Sequence, residues 1–126
     1  MYRTITLSNG ARLLTEYIPG ARSAALGFFV GAGSRHERAT ENGAAHFIEH
    51  LSFKGTDRRS AADLAREIDA IGGQVNAYTT KEHTCFYARS LDRHLDQALD
   101  ILSDMLFHSR FAQKDVEMER SVILEE

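Results

Sequence analysis

The hydrophobic period of this chain changes three times, and that alternation limits the possible folds more than any other sequence feature. Apolar residues recur at every second position in segments that predict strands, and at every third or fourth position in segments that predict helices. The predicted strands cover residues 2–8, 11–18, 23–30, 74–80 and 83–90. The predicted helices cover residues 41–53, 60–71, 91–106 and a final stretch that starts near residue 113.

The order of these elements predicts an α+β fold, a two-layer sandwich. Asn9-Gly10 is a strong two-residue turn signal, and short connections of this kind imply antiparallel pairing. The helices arrive in runs of two, which favours their covering one face of the sheet. We therefore expect an antiparallel sheet covered by helices on one face.

Polar residues and glycines mark the expected helix boundaries. Thr40 is a candidate N-cap for the first helix. Ser60 and Asp63 form a capping-box pattern at the start of the second helix, and Gly72-Gly73 predicts its end.

Composition excludes several classes of protein. The chain has 126 residues, of which 43% are hydrophobic, which fits one globular domain and not a disordered segment. A lone Cys85 excludes an internal disulfide and a cysteine-only zinc site. The net charge of −3 gives no general affinity for nucleic acid. No apolar run approaches the roughly 18 residues that a membrane span needs.

Residues 46–50 (His-Phe-Ile-Glu-His) place three chemically active side chains on the first predicted helix. His46 and His50 are one helical turn apart, so both imidazoles can reach one metal ion. Glu49 shares that face, where its carboxylate could take a proton from a bound water. Two histidines at this spacing also occur by chance. The otherwise apolar helix and the His-x-x-Glu-His order, an inverted zinc-peptidase motif, favour a metal site.

The acidic last helix is the expected source of a further ligand, because a catalytic zinc usually has three protein ligands. Glu119 and Glu126 are seven positions apart and share one helix face, whereas Glu125 points away from it. This spacing suits one ligating carboxylate and a second carboxylate that supports a ligating imidazole.

Residues 46–56 (His-Phe-Ile-Glu-His-Leu-Ser-Phe-Lys-Gly-Thr) resemble the active-site helix of the pitrilysin-type zinc peptidases. That family includes insulin-degrading enzyme and mitochondrial processing peptidase, and the resemblance is strongest to the processing peptidase β subunit and its bacterial homologues. Residues 119–126 (Glu-Arg-Ser-Val-Ile-Leu-Glu-Glu) resemble the distal acidic segment of the family. Residues 33–37 and 76–79 resemble two further family segments.

The resemblance implies a role for each matching residue. His46, His50 and Glu126 would bind one Zn²⁺ per chain, and Glu49 would be the general base. Glu119 would be the carboxylate that supports the site by contacting a metal ligand and not the metal itself.

The resemblance also implies a substrate-binding segment at Asn76 and Ala77. In the family these positions lie on an edge strand to which an extended peptide adds as a further strand. The alternative is that Asn76 is a turn residue after Gly72-Gly73.

The function implied is that of a zinc-dependent metalloendopeptidase that cleaves extended peptides or presequences through a metal-activated water. Its implied partners are a peptide or unfolded-protein substrate and the remaining domains or a partner subunit of the peptidase. The alternative is a non-catalytic processing-peptidase-like subunit or peptide-binding module with a structural metal site. Glu49 argues against that alternative, because a structural site does not need it.

We expect residues 1–126 to form most of an N-terminal zinc-binding peptidase domain that is truncated at its C-terminal end. The last predicted helix stops at Glu125-Glu126 without a glycine, a proline or a cationic last turn. The isolated chain is expected to bind zinc weakly and to be inactive or weakly active. A start in a strand, without an Arg- and Ser-rich leader, favours a bacterial cytoplasm over a mitochondrial matrix.

Overall fold

The computed structural model describes all 126 residues and contains five strands and four helices. The strands are β1 (Tyr2–Thr6), β2 (Arg12–Glu16), β3 (Ser23–Val30), β4 (Gln74–Thr79) and β5 (Thr84–Leu91). The helices are α1 (Ala44–Leu51), α2 (Ala61–Ala70), α3 (Leu95–Phe107) and α4 (Gln113–Glu125). No helix has the length and apolar content needed to cross a membrane. The predicted order of elements and the α+β class are confirmed.

The strands form two antiparallel sheets. β1 and β2 pair only with each other, as a hairpin around Asn9-Gly10. Gly10 has a φ of +88°, a conformation that glycine adopts without the steric cost of a Cβ. β3, β5 and β4 form a three-stranded sheet in that spatial order, so β5 is central and β4 is an edge strand. The three-stranded sheet carries the core, because every residue of the hairpin strands is exposed.

The core lies between the three-stranded sheet and the helices on one of its faces. α3 packs on β5 and β3, and α2 packs on α3 and β4. Phe86 and Ala88 are two positions apart on β5, so both point into this layer. Its buried hydrophobic residues are Leu64, Ile71, Phe86, Ala88, Ala98, Ile101, Leu102 and Met105.

The start of α1 differs from the predicted one. Thr40 lies in a 3₁₀ turn, and Gly43 takes the N-cap position with a φ of +91°. Glycine has no side chain to cap the helix, and the carboxylate of Glu37 does so instead. Its Oε2 accepts a hydrogen bond from the Gly43 N–H at 2.6 Å, and its Oε1 accepts one from the Ala45 N–H at 2.8 Å. Glu37 therefore ties the preceding loop to the first turn of α1.

The predicted start of α2 is confirmed and that of α3 is not. Ser60 Oγ accepts a hydrogen bond from the Asp63 N–H at 3.1 Å, and Asp63 Oδ2 accepts one from the Ser60 N–H at 3.0 Å. α3 begins at Leu95, because Leu91 is the last residue of β5 and residues 92–94 form a 3₁₀ turn.

Asp104 on α3 anchors the segment between α1 and α2. Its buried Oδ2 accepts hydrogen bonds from Thr56 Oγ1 and from Arg59 Nη1, each at 2.7 Å. Burial raises the pKa of Asp104, but these hydrogen bonds and the charges of Arg58 and Arg59 outweigh it, so the pKa lies below its usual range. The ionised, paired carboxylate holds this segment against α3.

We predict that Glu37→Gln weakens the first turn of α1. The N–H groups of Ala45 and Gly43 lower the pKa of Glu37 from its ordinary value of 4.5. The stabilisation of α1 by the ionised Glu37 carboxylate is therefore complete above pH 4.5, and it is lost as the pH falls through the lowered pKa of Glu37. Glutamine retains one acceptor oxygen, and we expect a loss of about 1 kcal/mol of local stability at neutral pH.

Hydrogen exchange of the α1 amides, measured by mass spectrometry and corrected for intrinsic rates, tests this prediction. Exchange in Glu37→Gln should be about fivefold faster than in the wild type at neutral pH. The difference should vanish once the Glu37 carboxylate is protonated. Glu41→Gln, a change at an exposed carboxylate in the neighbouring turn, is the control and should leave the α1 amides unaffected.

Candidate metal centre

The imidazoles of His46 and His50 face each other on α1. The two residues are one helical turn apart, which brings both side chains to the same face. Their Nε2 atoms are 3.0 Å apart, and their ring planes are perpendicular. The helix thus presents two nitrogen donors that converge on one point, as the sequence predicts.

The carboxylate of Glu126, directly after α4, reaches the same point. Its Oε2 lies 3.5 Å from Nε2 of His46 and 3.9 Å from Nε2 of His50. Packing of α4 against α1 brings these atoms together from opposite parts of the chain. Half of the Glu126 side-chain surface remains exposed, so the side of the cluster that Glu126 occupies is open to solvent.

Glu119 lies on the same side of α4 as Glu126, two helical turns earlier, and is buried. Only 6% of its side-chain surface is exposed. Its Oε2 lies 3.1 Å from Nδ1 of His50, and its Oε1 lies 2.7 Å from Nζ of Lys54. The hydrogen bond from Lys54 lowers the pKa of Glu119 and outweighs the opposing effect of burial, and His50 lowers this pKa further.

The ionised Glu119 determines which nitrogen of His50 is free. A carboxylate only accepts hydrogen bonds, so Nδ1 of His50 must carry the proton. In the neutral imidazole of His50, Nε2 then carries the lone pair and faces His46 and Glu126. This is the arrangement that a ligating histidine requires.

The three donor atoms suit a divalent metal ion such as zinc. Donors about 2.0–2.1 Å from a tetrahedral ion stand roughly 3.3 Å apart. The three separations among His46, His50 and Glu126 bracket this value, from 3.0 to 3.9 Å. Two imidazoles with one carboxylate are a common donor set of catalytic zinc sites with an open fourth position.

Glu49 lies at the junction of α1 and the edge strand β4. Its Oε2 accepts a hydrogen bond from Oγ1 of Thr79, the last residue of β4. The side chain is half-buried. The carboxylate is therefore contacted by a residue of a different element.

Asn76 and Ala77 lie in the middle of β4, and Asn76 is not a turn residue. Oδ1 of Asn76 accepts a hydrogen bond from the Ala77 N–H at 2.9 Å. The edge of β4 opposite β5 pairs with no other strand. These residues contact neither the histidines nor Glu126 through a hydrogen bond, but Thr79 of the same strand contacts Glu49.

Three contacts of the site were not predicted from the sequence. Lys54, Thr79 and Glu37 all lie in segments that resemble segments of the family, but the sequence predicts no role for them. One signal existed for Lys54, because a buried Glu119 needs a cation and a lysine follows His50 by one helical turn. Thr79 and Glu37 gave no comparable signal, since their partners depend on how loops and strands approach α1.

Comparison with known proteins finds peptidases that are similar to this chain in sequence. The sequence model of the family described as Insulinase (Peptidase family M16) matches residues 12–126. An uncharacterized zinc protease of Mycobacterium leprae is 54% identical over 121 residues, which are 96% of this chain and 27% of that protein. The mitochondrial-processing peptidase subunit beta of Saccharomyces cerevisiae is 50% identical over 124 residues, 98% of this chain and 27% of that protein.

A solved structure has the same fold. The crystal structure of a protease from Helicobacter pylori matches 99% of this chain and 30% of its own chain, with a TM-score of 0.93 and 25% sequence identity. The chain thus spans less than a third of the length of each of these relatives.

We predict that, without metal, neutral His50 carries its proton on Nδ1. Long-range ¹H–¹⁵N correlation spectra of histidine-labelled protein at about pH 8, where an ordinary imidazole is neutral, report the tautomer directly. The set of imidazole signals that is absent from the spectrum of His50→Gln is assigned to His50. His108 is an exposed residue without a side-chain hydrogen bond to the protein, and it should show a mixture of tautomers. A proton on Nε2 of His50 would contradict the proposed contact with Glu119.

Proposed function

The chain belongs to the insulinase (M16) family of peptidases, and from this we propose that it carries the metal site of a zinc-dependent metalloendopeptidase. The observation that supports this most strongly is the convergence of two imidazoles and one carboxylate from α1 and α4. Relatives about half identical to this chain are named zinc proteases or a processing peptidase subunit.

The proposed zinc ligands are His46, His50 and Glu126, for one ion per chain. Their donor separations of 3.0–3.9 Å support this assignment. Glu119 supports the site through Nδ1 of His50, so that Nε2 is available to the metal.

Glu49 is the proposed general base. Zinc, when bound, supplies Lewis-acid activation of a water molecule and of the peptide carbonyl. The Glu49 carboxylate accepts the proton of the attacking water and returns it to the leaving amine. Thr79 holds this carboxylate in place by donating a hydrogen bond to Oε2.

The proposed substrate is an extended peptide or an unfolded presequence that adds to β4 as a further strand. The free edge of β4 supports this, because an edge strand offers unpaired backbone groups. The N–H of Ala77 already donates to Asn76 Oδ1, so a peptide that used this N–H would replace that hydrogen bond. Asn76 and Ala77 are the proposed contact residues on this strand. The bond between Thr79 and Glu49 would place a peptide on β4 close to the proposed base.

We also propose that residues 1–126 form most of the metal-bearing N-terminal domain of a longer peptidase. The chain covers only 27–31% of the bacterial relatives that are named zinc proteases. The partners of the domain would then be the substrate peptide and the rest of the peptidase or a partner subunit.

We predict that Glu49→Gln in the full-length protein retains zinc but loses peptide hydrolysis. Glutamine preserves the shape and can still accept the hydrogen bond from Thr79, but it cannot act as a base. The rate constant should fall by about 10²–10⁴, the usual contribution of general-base catalysis. Cleavage of a fluorogenic peptide and zinc content by atomic absorption are the two measurements. Unchanged cleavage would remove Glu49 from the mechanism. A wild-type protein that holds zinc but cleaves no peptide would favour a peptide-binding module with a structural metal.

We predict that Glu126→Gln weakens zinc binding and Glu125→Gln does not. The two residues are adjacent and both exposed, but only Glu126 approaches the histidines. Loss of the proposed ligand should raise the zinc dissociation constant by more than the factor of about 10–100 typical of residues that merely orient ligands. Competition with a chromogenic chelator measures the zinc dissociation constant of both variants. Equal affinities of the two variants would exclude Glu126 as a ligand.

A further inference from the structure

Lys54 is bound to the buried carboxylate that contacts His50. Its Nζ lies 2.7 Å from Oε1 of Glu119, while the other oxygen of that carboxylate lies 3.1 Å from Nδ1 of His50. One carboxylate thus joins an ammonium group to an imidazole, and each of its oxygens has one partner. Lys54 contacts Glu119 and not the proposed metal ligands, so it is linked to His50 only through the Glu119 carboxylate.

The backbone around Lys54 is fixed on both sides. Its N–H donates a hydrogen bond to the Leu51 carbonyl at 3.0 Å, which continues the last turn of α1. Phe53 packs against the buried residues of α2 and α3. Gly55 has a φ of +125°, and its carbonyl accepts a hydrogen bond from the Arg110 N–H at 3.1 Å. The backbone of Lys54 is therefore fixed, since both of its neighbours are anchored, while its side chain is 38% exposed.

Burial makes the contact with Lys54 important for the orientation of Glu119. A carboxylate that is only 6% exposed has exchanged most of its hydration for protein contacts. Without Lys54 its Oε1 would lose its ion-pair partner. The side chain would then relax toward solvent, and the bond that orients the imidazole of His50 would weaken.

We infer that Lys54 is a positioning residue, which holds Glu119 in the orientation that keeps Nε2 of His50 directed at the metal. The inference rests on the proposed function, because it assumes that His50 is a zinc ligand. Lys54 acts through Glu119 alone. Its contribution must therefore disappear when Glu119 can no longer orient His50.

A double-mutant cycle in the full-length protein tests this dependence. Lys54→Met removes the ammonium group but keeps the apolar stem, and Glu119→Gln removes the carboxylate charge. Lys54→Arg restores a cation, and Lys114→Met on α4 removes an exposed lysine that forms no ion pair. The readouts are zinc affinity by chelator competition, the absorption spectrum of the cobalt-substituted protein, and the melting temperature.

We expect Glu119→Gln to weaken zinc binding by about 10–100-fold, as is usual for a direct partner of a ligand. Lys54→Met should weaken it by a smaller factor of about 3–10, because the remaining contact with His50 is loosened and not removed. The double variant should match Glu119→Gln alone. Lys54→Met should also shift the cobalt spectrum, while Lys54→Arg and Lys114→Met should bind zinc as the wild type does.

Two results would overturn the inference. In one, Lys54→Met binds zinc as tightly as the wild type. In the other, the effects of Lys54→Met and Glu119→Gln multiply in the double variant, which would mean that Lys54 acts independently. If Lys54→Met does not fold, Lys54→Leu takes its place with the same criteria, because leucine likewise offers no donor to Glu119. Wild-type protein that binds no zinc would refute the proposed function itself, whereas tight wild-type binding with an indifferent Lys54 refutes only this inference.

Discussion

The buried carboxylate of Glu119 is the contact on which the candidate site depends. It links α4 to α1 by pairing with both His50 and Lys54. The same contact brings the end of α4, and with it Glu126, against the two imidazoles. Burying a charge is costly unless it is paired, so each of these two partners stabilises the buried carboxylate. The carboxylate of Glu119 thus joins the acidic helix α4 to the basic residues His50 and Lys54 in one cluster.

α1 itself is too short to be stable without its surroundings. It has eight residues, and isolated helices shorter than about 12–15 residues are marginal in water. Glu37 caps its first turn, and the segment after its last turn is held by Phe53 in the core and by Thr56 on Asp104. The two imidazoles are therefore positioned by contacts from both ends of the helix. Such positioning favours metal binding, because donors that are already in place need less ordering when an ion binds.

The sequence predicted the elements better than their junctions. The order of strands and helices, the hairpin at Asn9-Gly10 and the capping box at Ser60 followed from period and local chemistry. The predicted cap at Thr40 was wrong, because Glu37 reaches α1 across a loop and Gly43 takes the N-cap position. The split into two sheets could not be read from period either, since pairing partners depend on how distant strands meet.

The sequence by itself determined the chemistry of the site, and tertiary structure decided its geometry. The spacing of His46, Glu49 and His50 follows from the helical repeat, so their common face was fixed by local order alone. Packing between segments far apart in the chain decides the remaining contacts. It brings Glu126 to the imidazoles and buries Glu119. It also places Lys54 against Glu119 and Thr79 against Glu49. Local propensity specifies a side chain's face but not its partner, because contacts between distant elements form only when the core brings them together.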